Sequence, residues 1–138
     1  MGAEISTEAN KTLVADFFQH LSEGNADGAL ALLDDSASWH AMGREGGLPM
    51  SGVMDKQGIG ELIATVSNAF PEKLKLTPTG WTAEGDRVAV EMESYGEMDN
   101  RRIYNNAYHF LIIVSGRKIQ ALREYLDTQH VKQIFIDP

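Results

Sequence analysis

Helical periodicity before Pro71, strand alternation after Lys73, and turn residues spaced for a meander together predict an α+β fold. In that fold three N-terminal helices pack on the concave face of a curved antiparallel sheet. The 138 residues, 43% of them hydrophobic, suit a single domain spanning 1–138 whose core buries roughly two-thirds of the unfolded surface.

Ser6 or Thr7 can cap a first helix, in which Leu13, Val14, Phe17, Phe18 and Leu21 recur at helical spacing until Gly24 and Asn25 stop it. Asp27 caps a short second helix whose apolar residues are Ala29, Leu30, Leu32 and Leu33. Asp34, Asp35 and Ser36 end it before a strand from Ala37 to Met42. The stretch from Gly43 to Gly52, with four glycines and Pro49, reads as a loop long enough to form a rim or lid. Asp55 caps a third helix carrying Ile59, Leu62, Ile63, Val66 and Phe70, and Pro71 terminates it. Strands follow through Leu74, Leu76 and Trp81, from Arg87 to Glu97, and along both sides of a turn at Ser115 and Gly116.

A formal net charge of −8, from 12 Lys and Arg against 20 Asp and Glu, gives no broad basic field, which argues against nucleic acid or an anionic membrane surface as partner. The expected ligand is small and not strongly anionic. Cysteine is absent, which removes disulfides and thiolate chemistry and suits a reducing compartment. The start lacks a signal peptide's basic residues and apolar run, and no apolar run approaches the ~20 residues of a membrane span. The expectation is a cytoplasmic protein. Phosphate loops, paired metal-ligating histidines and nucleophile elbows are missing, so neither a metal nor a cofactor is expected.

Alternation then sorts the polar residues of the last strands. Leu122, Glu124 and Leu126 share a face on the final strand, opposite Ala121, Arg123, Tyr125 and Asp127. A carboxylate between leucines on a concave face would be desolvated, which raises its pKa and suits it to proton transfer. The competing reading pairs Glu124 with Arg101 or Arg102 at a sheet edge. On the preceding strand Tyr104, Asn106, Tyr108, Phe110 and Ile112 form one face, and Asn105, Ala107, His109, Leu111 and Ile113 the other. A two-residue turn at Ser115 and Gly116 brings His109 to the Glu124 side, whereas one more loop residue or a bulge brings Asn106 and Tyr108 there. Val88, Val90, Met92 and Ser94 share the inward face of their strand. Trp39 is a flat wall for a ring-shaped ligand or a filler of core, and His40 reads as solvated.

The two N-terminal helices with Glu23 to Asp27 between them, the Ala37 to His40 strand, the third helix, and the ending from Gly116 through Glu124 to Asp127 resemble the SnoaL-like proteins. These belong to the nuclear transport factor 2-like superfamily, with ketosteroid isomerases, limonene epoxide hydrolases and polyketide cyclases. The resemblance implies a cone-shaped fold with a deep apolar pocket, usually dimeric through its sheet. It also implies that the pocket carboxylate of cyclases and epoxide hydrolases falls on Glu124, as Glu where those families have Asp. The hydrolases' Arg and Asp align with Met92 and Ser94, and their Tyr and Asn with Trp39 and Ala41. The isomerases' Asp base aligns with Ala41, their oxyanion Tyr with Phe17, and their second oxyanion acid at or beside His109. The cyclases' acid–base Asp with a nearby His is the closest match, through Glu124 and His109.

Two functions follow as expectations. One is an acid–base enzyme of isomerase, cyclase or hydratase type, with Glu124 and His109 or Tyr108 at the reacting group, and Trp39, Met92, Phe17, Asn106, Ser94 and Leu126 around an apolar or amphipathic carbonyl-bearing ligand. The other is a non-catalytic binding or dimerisation module. A homodimer is expected in either case.

Overall fold

The computed structural model describes residues 3–44 and 47–138, with side chains from Thr7 onward. Helix α1 (Ala3–Glu23) leads through Gly24 into α2 (Ala26–Ala31), followed by strands β1 (Leu33–Ala41) and β2 (Gly52–Met54) and helix α3 (Lys56–Ala69). Then come β3 (Lys75–Glu84), β4 (Arg87–Glu97), the two-residue β5 (Ile103–Tyr104), β6 (Ala107–Ser115) and β7 (Lys118–Leu126). A C-terminal turn, α4 (Thr128–Val131), continues as a π-helical segment, Lys132–Ile136. The strand order is β2-β1-β7-β6-β4-β3, with β5 on β4. Among the described residues all pairings are antiparallel except β1 with β7.

Several boundaries differ from expectation for local reasons. Because α1 already begins at Ala3, Ser6 and Thr7 both lie within it and neither is its N-cap. Asn25, rather than Asp27, caps α2 by accepting from the Gly28 N–H at 3.0 Å. β1 starts at Leu33, and Asp34 to Ser36 form an irregularity within it, where Asp34 accepts from the Ser36 N–H and hydroxyl. The expected lid is a loop at residues 43–44 and 47–51, with Ser51 N–H bonded to Leu48 O; Glu45 and Gly46 lie outside the described residues.

The core lies between the helices and the concave sheet face. Phe17 and Phe18 of α1, Ile59 and Ile63 of α3, and Val88, Val90, Phe110, Ile112 and Leu122 of the sheet form one apolar cluster, each large side chain contributing about 2 kcal/mol. Phe18 packs on Phe110 with ring centroids 4.9 Å apart. Gly96 lets Phe70 of the α3 end approach β4, since a Cβ there would meet the ring at 2.7 Å.

The β6–β7 hairpin decides which side chains reach the concave face. Its turn is Gly116-Arg117, both at positive φ, so Ser115 pairs with Lys118. Continued without interruption, that register would set His109 opposite Glu124. Instead the pairing passes from Val114–Ile119 to Ile113–Ala121, leaving Gln120 as an extra residue. The Ile119 N–H bonds to Leu32 O, and the Gln120 side chain bonds to Ser115 O. Beyond this bulge Phe110 faces Glu124 and Tyr108 faces Leu126.

A candidate acid–base site on the concave face

Glu124 sits between Phe110 of β6 and Ala41 of β1, and its carbonyl accepts from the Met42 N–H at 3.0 Å. Trp39 lies two residues back on β1, on the same face. Its indole Nε1–H donates to Glu124 Oε1 at 3.1 Å. The indole is wedged by Phe110, at a centroid distance of 5.7 Å, and Phe17, at 6.3 Å. Glu124 keeps some solvent contact, yet enough protein surrounds its carboxyl group that desolvation pushes the pKa up to about 7, against the opposing Trp39 hydrogen bond. The carboxylate is therefore poised to give or take a proton near neutral pH.

Among the described residues no arginine, Arg101 included, pairs with it or shifts it. Arg102 reaches the chain end instead, its guanidinium donating to the carbonyls of Gln133, Ile134 and Asp137 at 3.1, 2.9 and 2.7 Å.

Beside Glu124 lies a buried polar cluster. The Tyr108 hydroxyl is 3.1 Å from Ser94 Oγ and 2.9 Å from the Tyr104 hydroxyl. The Asn106 N–H donates to Ser94 Oγ, and the Asn106 amide nitrogen donates to the Tyr104 hydroxyl. Three hydroxyl groups thus bring three protons to two hydroxyl–hydroxyl contacts, while Asn106 supplies only donors to them. One hydroxyl proton is left without an acceptor among the described residues. Burial raises the pKa of both phenols and keeps them neutral.

The structure thus groups Glu124 with Tyr108, Asn106, Ser94 and Leu126 and not with His109. The placement of His109 opposite Glu124 is corrected: it is exposed on the outer face, between Glu91 and Tyr125, because the Gln120 bulge reverses the facing of β6 against β7. Trp39 is 5% exposed and works as core and as the donor to Glu124, rather than as an open wall. Phe17 and Met92, at 0% and 1% exposure, are enclosed in the core and offer no open surface to a ligand. A cavity of about 60 Å³ lies elsewhere, between α1 and the end of α3, against Leu21, Val66, Phe70 and Lys73. Tyr104 enters the cluster as a residue to which the sequence assigns no role, although alternation groups it with Asn106 and Tyr108.

Among the described residues no group of three His, Asp or Glu is placed to hold a metal ion, and no helix is long and apolar enough to cross a membrane. A family model described as a SnoaL-like domain matches residues 14–129. Comparison with curated proteins finds no match. Among solved structures, an NTF2-like protein from Burkholderia xenovorans LB400 is 25% identical, with a TM-score of 0.75 over 93% of this chain and 96% of that one. A candidate SnoaL-like polyketide cyclase from Jannaschia sp. CCS1 superposes with a TM-score of 0.78 at 15% identity, covering 96% of this chain and 95% of that one. A protein with a ketosteroid isomerase-like fold from Catenulispora acidiphila DSM 44928, in complex with trimethylamine, gives 0.75 at 16% identity over 91% and 93% of the two chains. At such identities the last two speak for the fold alone.

Proposed function

The chain belongs to the SnoaL-like domain family, and on that premise we propose that it is an acid–base enzyme in which Glu124 moves a proton on a small, neutral, carbonyl-bearing ligand. The observation that carries this reading is a carboxyl group on the concave face, held by one indole N–H and surrounded by enough protein that desolvation pushes its pKa up to about 7. Ionised, Glu124 takes a proton from carbon next to a carbonyl. Neutral, it returns that proton to another carbon, which completes an isomerisation; where the enolate carbon first bonds to a second carbonyl of the same ligand, the proton goes to the new alkoxide and the result is an aldol-type cyclisation. The spare hydroxyl proton of the Ser94–Tyr108–Tyr104 cluster supports Tyr108 as the donor to the developing oxyanion. Trimethylamine in one structural relative supports a small-molecule ligand for the fold. A cytoplasmic homodimer belongs to the same reading, and exposed Tyr95 and Tyr125 on the outer sheet face support an apolar contact there.

The test is turnover of a panel of enones, lactones and polyketide-like aromatics by the unsubstituted chain and by Glu124→Gln. Activity should fall ~10²- to 10⁴-fold in the variant. Undiminished turnover in Glu124→Gln overturns the reading. The second reading, a binding module without chemistry, is favoured by the enclosure of Phe17 and Met92 in the core. It predicts ligand binding indifferent to Glu124→Gln.

A further inference from the structure

The two oxygens of Glu124 are not equivalent. Oε1 accepts from Trp39 at 3.1 Å, and among the described residues Oε2 has no hydrogen-bond partner. The indole has little freedom to swing away, because Phe17 and Phe110 flank the ring and β1 is paired on both sides, Trp39 with Met54 and with Leu122. An indole N–H is a donor only, and a buried one needs its acceptor in both protonation states of Glu124. In a neutral carboxyl group the carbonyl oxygen is the better acceptor, so a donor fixed on Oε1 leaves the acid proton on Oε2.

We propose that Trp39 is a positioning residue that reserves Oε1 of Glu124, so that Oε2 alone exchanges its proton with a ligand. The role toward a ligand rests on the acid–base reading above, whereas the inequivalence of the two oxygens belongs to the free protein. The titratable groups whose charge is coupled to Glu124 are Tyr104 of β5 and Tyr108 of β6, both held neutral by burial. Helix α1 presents Phe17 and Phe18 to this face, β1 presents Trp39 and Ala41, and no charged side chain shifts Glu124 among the described residues. Ionisation at Oε2 therefore registers at the indole, whose hydrogen bond becomes charge-assisted.

The experiment follows the indole ¹H–¹⁵N resonances with pH. The chain has two tryptophans, Trp39 and Trp81, so Trp81→Phe assigns the signals. The Trp39 resonance should move with a midpoint at about 7, and Glu124→Gln should abolish the movement while leaving the N–H hydrogen-bonded. Trp39→Phe should move the titration of the Glu124 carboxyl carbon upward by about one pH unit, a tenfold change in its ionisation constant. A Trp39 resonance that stays flat while the Glu124 carboxyl titrates overturns the proposal, as does an unchanged or lowered midpoint in Trp39→Phe. If Trp39→Phe does not fold, the indole titration of the unsubstituted chain decides. Undiminished turnover in Glu124→Gln would defeat the acid–base reading while leaving the indole result intact, so the two failures are separable.

Discussion

Asn106 and Glu124 both bring polar side chains into the interior beneath the helices, and the sheet treats them in opposite ways. The Asn106 amide uses its full hydrogen-bonding capacity. Its nitrogen donates to the Tyr104 hydroxyl and Asp127 O, and its oxygen accepts from the Ala107 and Asp127 N–H groups. Glu124 has one side-chain partner, an uncharged indole, for a group that carries charge when ionised. A fully partnered buried amide fixes structure: it ties β6 to the start of the C-terminal turn. An under-partnered carboxyl group leaves its ionisation easily shifted by whatever else comes within reach.

The contrast can be broken or sharpened by substitution. Asn106→Ala strands the Asp127 backbone groups and should cost roughly 4 kcal/mol, read as a lower urea midpoint at pH 7. Glu124→Gln should do the reverse, and in a pH-dependent way. The folded pKa of Glu124 lies above its ordinary value of 4.5, so the folded chain holds the extra proton between pH 4.5 and about 7. Stability therefore falls as pH rises through that window, by at most about 3 kcal/mol. The glutamine variant escapes this loss: it should match the unsubstituted chain near pH 4 and exceed it at pH 8. Equal stability of the two at pH 8 would put Glu124 on the same footing as an ordinary surface carboxylate. Tyr108→Phe removes one hydroxyl from the cluster and should cost about 1 to 2 kcal/mol by thermal unfolding. His109→Ala, on the outer face, should change stability by less than about 0.5 kcal/mol and leave the ionisation of Glu124 where it was.

Much of this contrast is legible in the amino-acid order. Period-two alternation sets Glu124 on one face with Leu122 and Leu126, groups Tyr108 with Asn106, and assigns Met92 and Ser94 to an inward face, and helical spacing finds the core positions Val14, Phe17, Ile59 and Ile63. The facing between strands is not legible there, because it depends on one extra residue, Gln120, whose bulge is held by an Ile119–Leu32 bond from a distant part of the chain. The Trp39–Glu124 bond is hidden for the same reason: it joins positions far apart in sequence that meet only through the parallel β1–β7 pairing. The C-terminal turn does carry a local signal. Asp127 caps it by accepting from the Gln129 and His130 N–H groups. Its hold on the body, however, comes from contacts distant in sequence: Arg102 on the last carbonyls, Asn106 at Asp127, and Phe135 and His130 packed on Tyr104.

The most direct test of the acid–base site is the ionisation of Glu124 itself, followed through its side-chain carboxyl ¹³C resonance in the unsubstituted protein and identified by its loss in Glu124→Gln. A midpoint at about 7 is the predicted result. A midpoint in the ordinary range, between about 4 and 5, would mean that the concave face does not desolvate the carboxyl group, and the site would fall with it.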